Sequence, residues 1–157
     1  QVLGLAGKWE EAYELGMQID QTNTGAGLYQ AAQAAAWARR LDWVDLVRVA
    51  LEESTLSGPI ADGIGLYAEA TRAALTDDPQ TAAGLFDRLI DLFAPIVLRY
   101  DLAMVRATYA MLVGQDHPAA AQAARDANEW LVETGSNGLM KMWAAGLPAA
   151  ASSQAVG

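Results

Sequence analysis

The chain has 157 residues and a net charge of −9, from 19 acidic and 10 basic residues, and it contains no cysteine. The missing cysteine excludes disulfides, thiolate metal sites and cysteine nucleophiles, and it fits a reducing cytoplasm, where we expect the protein to reside. The acidic charge repels the phosphates of nucleic acids, and no run of lysine and arginine offsets it, so direct nucleic acid binding is not expected.

The composition favours helices. Alanine supplies much of the 53% apolar share, and alanine has the highest helix propensity, whereas the β-branched residues that favour strands are sparse. A chain of this length forms one domain or a short repeat array. The longest uncharged stretch, residues 21–38, contains six glutamine, threonine and asparagine side chains and is too polar to span a bilayer. We therefore expect an all-α protein that does not enter a membrane.

Apolar residues recur at steps of one, three and four along the chain, as in Leu85, Phe86, Leu89, Leu92 and Phe93, which is typical of amphipathic helices. In chain order, we predict helices over residues 8–20, 27–40, 43–53, 59–75, 79–93, 95–113 and 118–134, and a short last helix near residues 139–145. Residues 22–25 are predicted to form a turn. The small, polar tail, residues 149–157, is predicted to be disordered, so the folded domain spans residues 1–148.

A pattern of a turn, an aromatic residue or proline, and a small residue repeats along these helices. Trp9 and Trp43 lie 34 residues apart, which is the period of tetratricopeptide repeats. Prolines take the same position in two later turns, after spacings of 36 and 39 residues, at Pro79 and Pro118. Leu46 departs from the small-residue position, whereas three alanines match it: Ala12, Ala82 and Ala121.

These motifs resemble the tetratricopeptide family over most of the chain. Pro59 and Pro95 lie near the proline that follows the second helix of the family's repeat, whereas Thr24 departs from it. The resemblance implies a right-handed superhelix of about four stacked helical hairpins, in which the first helix of each hairpin lines a concave groove that receives peptides or helices. The helix at residues 8–20 is then the second of its hairpin, and we expect its partner before Gln1, in a larger protein.

The resemblance places several arginines and tyrosines on the first helices of the repeats. The predicted partner-binding residues are Arg39, Arg72, Arg99, Arg106, Tyr67 and Tyr109. Arg99 and Arg106 are seven residues apart and so share one helix face, and a row of guanidinium groups can hold a carboxylate or an acidic peptide by charge-assisted hydrogen bonds. The alternative is that these arginines pair with Glu69, Asp101 and neighbouring acids at the surface, where an ion pair typically contributes under about 1 kcal/mol.

No pattern of catalytic, metal-binding or cofactor-binding residues is found in the sequence. The single histidine, His117, is predicted to be a turn residue, since one histidine cannot build a zinc site. The carboxylate pairs are predicted to lie on solvated helix faces or in a turn, where Asp78 caps the next helix. Gly63 and Gly65 do not match a phosphate-binding loop and are predicted to mark close helix contacts. The tryptophans are predicted to be packing residues.

The last part of the chain, residues 123–147, resembles the tails of multidomain bacterial signalling proteins, such as transcriptional activators with a signal-transduction ATPase and some nucleotidyl cyclases. The leading hypothesis is a non-catalytic interaction and scaffolding module that binds a protein segment in its groove and can form homo-oligomers. A second hypothesis is a regulatory domain that senses a small molecule within the superhelix. A third, an enzyme, lacks any supporting constellation of residues. An open, polar and continuous groove favours the first hypothesis, and a closed apolar pocket with a few converging polar groups favours the second.

Overall fold

A computed structural model of the chain describes residues 8–19 and 25–136. Across these two segments the chain forms seven helices and no strand, which confirms the all-α prediction for this part of the chain. The helices are α1 (Trp9–Ile19), α2 (Ala26–Trp37), α3 (Leu41–Glu53), α4 (Pro59–Leu75), α5 (Pro79–Phe93), α6 (Arg99–Val113) and α7 (Pro118–Glu133). The helix predicted near residues 139–145, the tail at residues 149–157 and most of the turn at residues 22–25 lie outside the described residues.

The helix starts follow from proline and capping residues. Proline occupies the first turn of α4, α5 and α7, where its missing N–H costs no hydrogen bond. The carboxylate of Asp78 accepts the backbone N–H of Thr81 at 3.1 Å, as predicted. Pro95 does not start a helix, because the N–H groups of Ile96 and Val97 both bond to the carbonyl of Phe93 and close a turn. Helix α6 therefore begins four residues later than predicted.

Helices α2 and α4 end in the same way, with a non-glycine residue in the left-handed region. Arg39 has a φ of 53° and Asp77 a φ of 59°. After α2, the N–H of Arg40 reaches the carbonyl of Ala35 at 3.0 Å, and after α4 the N–H of Asp78 reaches that of Ala73 at 3.0 Å. Such bonds are typical of a Schellman ending. Arg39 thus lies in the turn after α2, and its predicted position inside a helix was wrong.

Helices α2, α4 and α6 form the interior of the molecule. Each consecutive pair of helices is in contact, and α2, α4 and α6 also contact one another. Nine of the 12 residues of α2 are buried, whereas only Val44 and Val47 are buried in α3. Since α2, α4 and α6 are the helices expected to line an open concave groove, their mutual burial means that side chains fill the space between them.

A single hydroxyl group joins these three helices. Thr108 of α6 donates to the carbonyl of Met104 at 2.8 Å and accepts the indole N–H of Trp37 of α2 at 3.0 Å. Its Oγ1 also lies 2.8 Å from the Oη of Tyr67 on α4. Because a hydroxyl has one proton and that of Thr108 is directed to Met104, Tyr67 must be the donor in this contact. All three groups lie in the core and stabilise the closed arrangement.

Aromatic rings and one glycine complete the packing. Four tryptophans stack on or pack edge-on against other rings, as predicted: Trp9, Trp37, Trp43 and Trp130. The fifth, Trp143, lies outside the described residues. A methyl group at Gly63 would overlap the ring of Phe93, so the predicted close contact is confirmed there. A Cβ at Gly65 would lie 3.6 Å from Leu51, at an ordinary contact distance, and the prediction of a close contact there was wrong.

Candidate functional site

Two of the predicted binding residues, Tyr67 and Tyr109, are core residues. Both are 0% exposed, and the ring of Phe86 lies between them, 6.2 Å from Tyr67 and 5.0 Å from Tyr109 between ring centroids. Neither side chain can reach a partner in this structure, because the predicted groove is filled. Burial is the main cause that raises the pKa of both phenols. Nearby Asp87 adds to the rise in the pKa of Tyr109.

The four predicted arginines lie in three different places. Arg39 donates from Nη2 to the carbonyl of Met111 at 3.3 Å and so links the ends of α2 and α6. The Nε of Arg72 lies 3.2 Å from the carboxylate of Asp45 on α3. Arg99 and Arg106 line one cleft, as their spacing on α6 predicts. Arg72 lines a different cavity, so the arginines do not form one row along a groove.

The cleft between α6 and α7 holds charges of both signs. Its volume is about 270 Å³. Arg99 and Arg106 on α6 face three acids on α7, Asp126, Glu129 and Glu133, and the Nε of Arg106 lies 3.9 Å from the carboxylate of Asp126. The pairs of Arg72 with Asp45 and of Arg106 with Asp126 fit the alternative of solvated ion pairs, although with other acids than Glu69 and Asp101. A cleft with more acids than arginines offers an acidic peptide little attraction.

A larger cavity runs along α4, between α3 and α5. Its volume is about 730 Å³. Its apolar lining comes from α3, from the connection to α4, and from α4 and α5: Leu51, Leu56, Ala61, Gly65, Leu66 and Leu92. The four leucines are half-buried, so part of each side chain faces solvent within the cavity. Four charged residues surround this lining: Asp62, Glu69, Arg88 and Asp91.

A second cavity lies next to the first, toward the end of α4. It measures about 300 Å³, and Glu69 lines both cavities. Arg72 and Ala73 of α4 and Thr76 just after its end form its floor, with Arg48 on the α3 side. We call the two cavities together the α4 groove. Its floor extends from Ala61 to Thr76, about 22 Å at the rise of an α-helix.

The groove exists because α4 has two different faces. Residues 62, 65, 66, 69, 72, 73 and 76 recur every three or four positions and therefore lie on one side of the helix. The opposite side carries Gly63, Ile64, Tyr67, Ala70 and Thr71, which are all buried. Sequence reasoning missed the groove, because periodicity placed only one of its leucines, Leu92, on a predicted apolar helix face and did not show that this face is open. The half-burial of the leucines depends on how far apart α3 and α5 lie, which the sequence does not reveal.

In the part of the chain that the structure describes, no three or more histidine, cysteine, aspartate or glutamate residues are grouped so that they could hold a metal ion. His117 lies in the turn just before α7, as predicted. None of the described helices combines the length and the apolar character needed to cross a membrane.

The chain was compared with protein-family models, with curated proteins and with solved structures, and none of them matches it. The resemblance to tetratricopeptide and bacterial signalling proteins therefore stays a prediction from the motifs described above. The geometry of the α4 groove is the basis on which a function can be assigned.

Proposed function

We propose that this chain is a non-catalytic protein-interaction module whose α4 groove binds a partner segment with an apolar face. The single observation that carries this proposal is the cavity of about 730 Å³ lined by four half-buried leucines. Half-buried apolar side chains along a groove gain free energy when a partner covers them, at about 25 cal/mol per Å².

The shape of the groove favours a peptide segment over a small molecule. The groove is open to solvent and runs for about 22 Å along α4, the length of about 15 residues of a helix. Small-molecule sites usually bury most of the ligand, which an open groove does not. A helix with apolar side chains at steps of three and four can lie in such a groove. The open groove therefore supports the interaction module over the small-molecule sensor.

The groove is also built on a rigid support. Its floor is the outer face of α4, and the inner face of α4 is held by the contact of Tyr67 with Thr108 and by Phe93 against Gly63. A preformed site loses less conformational entropy on binding than a flexible one. This rigidity fits a scaffold of a larger cytoplasmic signalling protein, the setting that the sequence motifs predict.

The proposal is tested with two matched double variants. Leu66→Gln/Leu92→Gln makes the groove polar, whereas Leu46→Gln/Val49→Gln changes two apolar residues of α3 that are 53% and 48% exposed and line neither cavity of the groove. Each purified variant is used to capture proteins from a lysate of the source cells, after circular dichroism has confirmed folding. We expect the groove variant to lose a partner that the wild type and the control retain.

Two outcomes would contradict the proposal. If the groove variant captures the same partners as the wild type, the groove is not the binding site. If the wild type retains a small molecule and no protein, the sensor hypothesis replaces the interaction module.

A further inference from the structure

We infer that the segment that binds in the α4 groove is basic, with lysine or arginine next to its apolar side chains. This inference rests on the proposed function, because it names the chemistry of the partner that the groove receives. It comes from the charges around the leucines and from the helix ends that meet there.

The charged residues around the leucines have a negative sum. Three of them are acidic and one is basic: Asp62, Glu69 and Asp91, and Arg88. Glu69 is shared with Arg48, whose Nη2 lies 4.0 Å from its carboxylate, and more than half of the Glu69 side chain is exposed. Asp62 and Asp91 are both exposed; Asp62 lies on the α4 floor and Asp91 on α5 at one side. A cation in this cavity would therefore have exposed carboxylates among its lining residues.

Three helix ends meet at this cavity: the C-terminal ends of α3 and α5, which add to the negative field, and the N-terminal end of α4, whose partial positive charge is offset by Asp62 in its first turn. Helices α3 and α5 both end at the cavity, since Leu51 and Leu92 lie in their last turns. The last turn of neither helix contains a basic residue, and α3 ends with Glu52 and Glu53. The C-terminal end of a helix carries a partial negative charge that favours nearby cations. Because the last turns of α3 and α5 contain no basic residue, a partner can supply basic side chains at these two ends.

The far end of the groove does not reverse this preference. Arg48 and Arg72 lie there, but both contact Asp45, at 3.7 Å and 3.2 Å, so their charge is partly compensated. The net charge of −9 of the whole chain further attracts a basic segment and repels an acidic one. The expected partner is thus an amphipathic segment with leucine-like residues on one side and lysine or arginine beside them.

The inference is tested with two sets of synthetic peptides of about 16 residues, a length that matches the groove when helical. Both sets carry leucine at positions i, i+3, i+4 and i+7, and one set has lysine beside the leucines where the other has glutamate. Kd values are measured by fluorescence anisotropy at low and physiological salt. We expect the lysine peptides to bind more tightly, and their affinity to fall as salt screens the charges.

A matched pair of charge variants tests whether the preference for lysine peptides arises in the α4 groove. Asp62→Asn/Asp91→Asn removes two charges from the groove, and Asp116→Asn/Glu129→Gln removes two charges elsewhere. We expect the first to weaken binding of the lysine peptides about tenfold, as for two exposed ion pairs near the upper end of their range. The second should change it less than about twofold, because exposed charges beyond a Debye length are largely screened.

The outcomes separate this inference from the proposed function. If the glutamate peptides bind as tightly as the lysine peptides, or if the two charge variants weaken binding equally, the inference is wrong. The proposed function survives that result as long as Leu66→Gln/Leu92→Gln abolishes binding of both sets. If neither set binds, or if this leucine variant binds as well as the wild type, the proposed function itself fails.

Discussion

The two faces of α4 differ in their packing: the inner face is buried in the core, and the outer face is only partly buried. On the inner face, Tyr67 and Thr71 are 0% exposed, and both hydroxyls have hydrogen-bond partners within the protein. On the outer face, Leu66 and Gly65 are half-buried and no part of the described chain covers them completely. The comparison shows that the inner faces of α2, α4 and α6 stabilise the fold. The outer face of α4, which we propose as the recognition surface, is not the face that the tetratricopeptide resemblance predicted.

The largest effect is expected from removing the hydroxyl that joins the three inner helices. Thr108→Val keeps the shape of the side chain but leaves the indole N–H of Trp37 and the hydroxyl of Tyr67 without a partner in the core. Each buried donor left unpaired costs about 1–3 kcal/mol, so we expect the free energy of unfolding to fall by about 3 kcal/mol in urea denaturation.

Thr71→Val is the matched control for this change. Thr71 donates to the carbonyl of Tyr67 four residues earlier in the same helix, and its loss leaves no donor of another residue unpaired. We expect a decrease of less than about 1 kcal/mol. Equal effects of the two substitutions would mean that Thr108 does not join the helices.

Alanine at the two glycines of α4 compares the faces directly. At Gly63 a methyl group would overlap the ring of Phe93, and such overpacking typically costs about 1–3 kcal/mol. At Gly65 the methyl group has room, 3.6 Å from Leu51, and alanine favours the helix by up to about 1 kcal/mol. Thermal unfolding should therefore show a lower Tm for Gly63→Ala and an unchanged or higher Tm for Gly65→Ala. The reverse order would show that the faces are assigned incorrectly.

High pH should lower the free energy of unfolding, because tyrosines are buried among the inner helices. Burial raises the pKa of Tyr67 and Tyr29 above their ordinary value of 10.0, so the folded protein keeps the phenol protons that the unfolded chain loses. The free energy of unfolding is therefore unaffected by the titration of these tyrosines below pH 10. Above pH 10 it decreases by up to about 1.4 kcal/mol per pH unit for each tyrosine. Urea denaturation between pH 8 and 11 measures this slope. Tyr67→Phe should make it shallower, and an unchanged slope would argue against a buried phenol.

The smallest effect is expected at the surface ion pair between Arg72 and Asp45. The side chains of both residues are 48% exposed, and pairs of this kind typically contribute under about 1 kcal/mol. Arg72→Gln should therefore change the free energy of unfolding by a few tenths of a kcal/mol. It should also leave the affinity of the lysine peptides within about twofold, because exposed charges are screened by salt. A large loss of affinity would restore Arg72 as a primary binding residue.

The helices could be read from the sequence because their signals are local. Pro59, Pro79 and Pro118 fix three helix starts, and Asp78 provides a cap that the structure confirms. Pro95 misled the prediction of α6, because a proline is equally suited to the turn that the carbonyl of Phe93 closes. Local signals of this kind do not specify how far apart two helices lie.

The binding residues could not be read in the same way, because they depend on which helix faces turn toward each other. Tyr67 and Tyr109 are on the helices that were expected to line the groove, but both rings lie in the core. Arg99 and Arg106 do share a cleft, since their spacing sets one helix face. Arg72 pairs with Asp45, 27 residues away in the sequence, a contact that only the packing of α3 on α4 creates.

The most direct measurement is a leucine-methyl NMR titration of the whole chain with the lysine peptides. Leu66 and Leu92 lie in the α4 groove, and Leu102 lies in the cleft between α6 and α7, so one spectrum reports on both sites. We predict that the methyl signals of Leu66 and Leu92 shift on binding and that those of Leu102 do not. Shifts confined to Leu102 would contradict the assignment of the α4 groove as the binding site and move it to the arginine-lined cleft.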